Sequence, residues 1–76
     1  MALSVEEYTA KRRSQTRREQ ASEISRAQRL CVRAQHELLN SEPDLLTNAR
    51  RIREAIFHLQ RALAATDREI AFREQS

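Results

Sequence analysis

Glycine and tryptophan are absent from these 76 residues, and proline and cysteine occur once each. Without glycine, no glycine-rich loop can wrap a phosphate. A lone Cys31 cannot close an internal disulfide. Two histidines and one cysteine are too few for a structural zinc site. Aromatic residues make up only 4% of the chain and β-branched residues are sparse, which argues against a sheet. No apolar run approaches the length of a membrane span. The N-terminal segment lacks the basic-then-apolar order of a secretory leader and carries no myristoylation pattern. No serine, histidine and acid are set together in a catalytic turn. The expectation from these absences is a cytoplasmic, non-enzymatic protein with no cofactor, no metal, no small-molecule substrate and no membrane contact.

What remains is rich in alanine, arginine, glutamate, glutamine and leucine, all strong helix formers, and a third of the residues are charged. That composition fits long helices or coiled coils. Leu45, Ala49, Ile52, Ile56, Leu59, Leu63, Thr66 and Ile70 recur at alternating spacings of four and three. Such spacing sets one side chain per turn on a narrow seam. A shorter ladder, Ile24, Ala27, Cys31, Ala34 and Leu38, precedes it.

The single break in the pattern is Asn40-Ser41-Glu42-Pro43-Asp44. Asn40 suits a left-handed helix end, Ser41 suits the next N-cap, and Pro43 is tolerated in a first turn. Upstream, Ser4 followed by Glu7 reads as a capping box, with Leu3 and Tyr8 placed as a hydrophobic staple. The prediction is an all-α antiparallel hairpin forming one domain, with helix 1 over about 5–39, a turn at 40–43 and helix 2 over about 42–74. Pairing the ladders sets Leu38 against Leu45, Ala34 against Ala49, Cys31 against Ile52, Ala27 against Ile56 and Ile24 against Leu59. Beyond that, Gln20, Arg17 and Arg13 would meet Leu63, Thr66 and Ile70, leaving the far half under-packed. Cys31 is expected to be buried on the seam; His36 and His58 are expected just off it, partly exposed, with Glu54 one turn from His58.

A chain of this length is marginal as a monomer. Apolar side chains also remain off the seam. Val32, Leu39, Phe57, Ala64 and Phe72, together with Leu63 and Ile70 from the under-packed half of the seam, are therefore the candidate contacts with a second copy, in a homodimeric four-helix bundle, or with another protein. The net charge of +3 resides on helix 1, where residues 11–33 hold eight basic and two acidic side chains. Tyr8, Lys11, Arg12, Arg18, Arg26, Arg29 and Arg33 are the candidate contacts with an acidic partner or with nucleic acid. The leading functional expectation is a protein-binding module (an adaptor, regulator or inhibitor) working through helix packing as a homodimer. The alternatives are a regulator that binds RNA or DNA through helix 1, and a structural subunit of a larger assembly.

Overall fold

The computed structural model describes residues 4–75. Two α-helices, α1 (Val5–Leu38) and α2 (Leu45–Gln75), fold back on one another. The expected all-α hairpin is the observed fold. Its extents are 59 × 27 × 14 Å, those of a flat rod two helices wide. Cross-helix partners run in opposite directions. Arg17 reaches Glu69, Glu23 meets His58, and Asn48 bonds the carbonyl of Ala34, so the helices are antiparallel. The contacts Ala34–Asn48, Glu23–His58 and Arg17–Glu69 fall one to three residues from the partners the ladders set.

The start of α1 follows its sequence signal. The Ser4 hydroxyl accepts from the Glu7 amide at 3.2 Å, while Glu6 and Glu7 face the positive end of the helix dipole. The Leu3 half of the expected staple lies outside the described residues.

The turn differs from expectation. Asp44, not Ser41, caps α2, its carboxylate accepting from the Thr47 amide at 3.0 Å and the Thr47 hydroxyl at 2.7 Å. Helix 2 consequently begins at Leu45, with Pro43 ahead of its cap. Asn40 is not left-handed; no described residue has a positive φ. Instead α1 tightens, with the Leu39 and Asn40 amides donating to the carbonyls three residues back. Glu37 supplies what a left-handed cap would have supplied. One of its oxygens accepts from the Asn40 side chain at 2.9 Å and the other from the Asp44 amide at 2.7 Å.

The face that each helix turns inward is the main correction. The buried and half-buried positions of α1 are Thr9, Thr16, Gln20, Glu23, Ala27, Leu30, Ala34 and Glu37, and those of α2 are Asn48, Arg51, Ala55, His58, Ala62, Ala65 and Glu69, with Ala49 at the edge. Both sets follow the three-four spacing. The seam is therefore built from small and polar residues. Its only buried hydrophobic side chains are Ala27, Ala34, Ala55 and Ala62. The ladder from Leu45 to Ile70 is this seam displaced by one residue, which on an α-helix is a rotation of about 100°. Ile52, Ile56, Leu59, Leu63 and Ile70 thus lie beside the seam, 45–59% exposed. Ile24 and Leu38 are likewise outside it, and Cys31 is exposed rather than buried. The physical reason is close approach: alanine at the contact lets two helix backbones come nearer than leucine does. Close approach in turn brings the polar groups of the seam within bonding reach across it.

Candidate functional site

Polar groups fix the seam before any surface is considered. Asn48, 2% exposed, donates from Nδ2 to the Ala34 carbonyl at 3.2 Å. Its Oδ1 is buried without a hydrogen-bond partner, so the single bond from Nδ2 is what favours this register over its neighbours. One heptad and a half along, His58 Nδ1 meets Glu23 Oε2 at 2.5 Å, its Nε2 stands 3.8 Å from Glu54, and Arg61 Nε stands 3.7 Å from Glu23. His58 is buried, not at the surface as its scarcity and spacing suggested; its pairing with Glu54 one turn away is as expected. Both ring nitrogens face carboxylates, and the ring meets Phe57 edge-on at 5.6 Å. This arrangement orients the ring and ties the two helices together across the seam. Among the described residues no group of three or more His, Cys, Asp or Glu side chains is placed to hold a metal ion, and no helix is long and apolar enough to cross a membrane.

The His58 hydrogen bond holds the Glu23 carboxyl below its ordinary value of 4.5, with help from the Arg61 charge and against the cost of burial. Asp44 is held below 3.8, first by the Thr47 amide and then by the Thr47 hydroxyl. A carboxylate lowered in the fold adds stability above its unfolded value, and that stability drains away as pH falls through the folded value. The melting temperature should therefore stay level from pH 7 to about 5 and decline below the ordinary carboxylate range. Glu23→Gln should start from a lower melting temperature and lose part of that acid slope. A parent melting curve unchanged down to pH 3 would contradict this.

On either side of the seam the two flanks differ in chemistry. Residues just C-terminal to seam positions fall on one flank, and in an antiparallel pair the corresponding flanks of both helices share one side of the hairpin. Two contacts fix this directly. Arg17 of α1 and Arg73 of α2 both reach the same oxygen of Glu69, at 3.5 and 3.1 Å. That flank carries Ala21, Ile24, Gln28, Cys31, Gln35 and Leu38 from α1, and Leu45, Ala49, Ile52, Ile56, Leu59, Leu63 and Thr66 from α2. No charged residue interrupts it between residues 20 and 38 or between 45 and 66. Charges return only toward the open end, where Arg13, Arg17, Asp67 and Glu74 surround Ile70.

The opposite flank is basic. Arg26 and Arg61, one from each helix, both act on Glu23 from this side. Next to the seam run Arg12, Glu19, Arg26 and Arg33 of α1 and Glu54, Arg61 and Arg68 of α2. Lys11, Arg18, Arg29 and Arg50 follow one or two rows further out. Nine basic side chains thus oppose two acidic ones. At the open end the flank widens into a groove of about 570 Å³ whose lining includes Tyr8, Arg12, Arg61, Arg68 and Phe72. Arg13 lies over the Phe72 ring at 5.9 Å and Arg61 over the Phe57 ring at 5.6 Å.

The structure sorts the sequence candidates between these surfaces. Tyr8, Lys11, Arg12, Arg18, Arg26, Arg29 and Arg33 fall on the basic flank or the outer crest beside it. Leu63 and Ile70 fall on the apolar flank, with Val32 and Leu39 on the outer crest of α1. Phe57 and Ala64 turn toward the basic side of α2, and Phe72 sits at the splayed end of the seam. The aromatic candidates and the aliphatic ones therefore do not share a surface. Sequence reading missed Arg50, Arg61 and Arg68, because the charges of α2 balance overall and their separation onto two flanks emerges only once the seam is known. Asn48 was also missed; its signal was the seven-residue recurrence with Ala55, Ala62 and Glu69. No protein-family model, curated protein or solved structure matches this chain.

Proposed function

We propose that the protein is a non-enzymatic binding module whose first partner is a second copy of itself, with the two hairpins packing their charge-free flanks together as a four-helix bundle. One observation carries this reading: a largely aliphatic surface with no charge along about half of the 59 Å rod. Ile24, Leu38, Leu45, Ile52, Ile56, Leu59, Leu63 and Ile70 are each 43–64% exposed in the single chain. Together they present on the order of 700 Å² of apolar surface, close to the roughly 800 Å² per partner of a standard interface. The monomer's own core is thin, four alanine methyl groups at roughly 0.8 kcal/mol each. Chains of this size commonly complete their core by association. The glutamines Gln28 and Gln35 border the aliphatic rows, as polar rims border interface cores.

Sedimentation velocity over a hundredfold range of protein concentration tests the proposal. A dimer should dominate at the upper end, and the melting temperature should rise with concentration. Cys31 gives a second readout, because it lies on this flank. Its reaction with a maleimide should slow as the dimer forms. A monomer throughout, with Cys31 equally reactive at every concentration, would refute the reading.

A further inference from the structure

In the proposed dimer the basic flank faces away from the self-association surface; the three acids of the seam are already engaged, which leaves Glu19 and Glu54 as the carboxylates beside nine basic side chains. Glu23 is held by His58 and Arg61, Glu37 by the turn and Arg51, and Glu69 by Arg17 and Arg73. Among the described residues Arg12, Arg33 and Arg68 have no ion pair. Arg26, Arg29 and Arg33 follow at spacings of three and four, so their Cβ atoms stand about 5–6 Å apart along the rod. From Arg12 to Arg33 the flank runs roughly 30 Å. Arginine at such intervals matches a run of phosphates, to which it bonds through two parallel N–H groups.

We propose that this flank binds a single strand of nucleic acid, with the arginine rows on the phosphates and the open-end groove on the bases. The groove decides between a single strand and a duplex. Tyr8 and Phe72 line it from opposite helices, beside Arg12 and Arg68, and both rings are more than half exposed. Phe57 presents a third ring under Arg61. Aromatic faces beside a basic track are what unpaired bases stack upon, whereas the bases of a duplex are already stacked and cannot enter. The α2 residues are essential to the argument, since they turn a charged helix into a two-sided channel. The proposal goes beyond self-association and does not depend on it, because the two surfaces lie on opposite flanks of the hairpin.

The test is fluorescence anisotropy with a labelled oligouridine of about 15 nucleotides, a length within the range of single-strand sites. Binding should be evident at 50 mM salt. With about four phosphates neutralised, affinity should fall on the order of 50-fold by 200 mM. The triple variant Arg26→Gln, Arg29→Gln, Arg33→Gln should weaken binding and flatten the salt slope by about two units. The double variant Tyr8→Ala, Phe72→Ala should weaken binding at every salt concentration and leave the slope unchanged. Arg53→Gln, on the outer crest of α2, should bind as the parent does. Circular dichroism on each variant confirms that helix content is retained. No anisotropy change at 50 mM salt, equal affinity for duplex RNA of the same length, or parental binding by the triple variant would each overturn the proposal. Sedimentation of the same samples keeps the two readings apart: a monomer that binds the oligonucleotide sinks the dimer alone, and a dimer that ignores it sinks the nucleic-acid site alone.

Discussion

Ile56→Glu with Leu63→Glu should leave a helical hairpin that sediments as a monomer at concentrations where the parent is dimeric. The two side chains lie two turns apart at the centre of the charge-free flank, 48% and 59% exposed in the single chain. Each substitution would place a carboxylate against aliphatic surface, since the cations of that flank, Arg13 and Arg17, lie toward the open end and Arg17 is already paired with Glu69. Burying an unpaired charge costs several kcal/mol, and each 1.4 kcal/mol is tenfold in affinity. The pair should therefore raise the dissociation constant at least about a thousandfold. Within one hairpin the same positions are already wet, so the helices should stay paired. The melting temperature of the variant should not depend on concentration, and Cys31 should react at the rate of a free thiol. A double variant that sediments with the parent would exclude this flank as the interface.

The second large effect belongs to the seam. Ala27→Leu and Ala55→Leu enlarge side chains that are 2% and 3% exposed, near the same level of the rod. Overpacking a close contact costs about 1–3 kcal/mol per site, and neighbouring sites do not add independently. The two leucines should push the helices apart, break the Asn48 bond to Ala34, and lower the melting temperature by more than either substitution alone. The sign is what discriminates. Ala55 is the discriminating site: were the isoleucine and leucine ladder the internal seam of α2, a leucine at 55 would lie beside it and be neutral or stabilising, whereas Ala27 lies on the α1 seam in either arrangement. A double variant that melts above the parent would mean that the helices pair through another face.

These two experiments probe the point at which sequence and structure part. The helices, the position of the turn, the antiparallel arrangement and the axial register to within a few residues were legible, because propensity, a single proline and the three-four spacing all act locally. The face was not. The strongest apolar ladder was assigned to the intramolecular seam on the assumption that the greasiest row is the innermost one. Alanine breaks that assumption. It contributes little hydrophobic area but permits close approach, so Ala27, Ala34, Ala55 and Ala62 took the interior. Ala27 and Ala34 were placed correctly, since on α1 the weak and strong rows overlap. On α2 every expected seam residue sits one position past the true one. The same rotation explains why His58 is buried, why Cys31 is exposed, and why the arginines of α2 joined those of α1.

Glu37 and Asn48 also bear on how the chain reaches its fold. The turn spans only residues 39–44 between the two helices, so closing it costs little chain entropy. Three polar contacts sit within a few residues of it, from Asn40, Asp44 and Asn48. Pairing should thus nucleate at the bend and zip outward, each rung a short step in sequence from the last, as in fast-folding helical proteins of low contact order. Unzipping follows the same track in reverse. It begins at the open end of the hairpin around Tyr8 and Phe72, farthest from the bend, so this end can part and re-form while the bend stays shut.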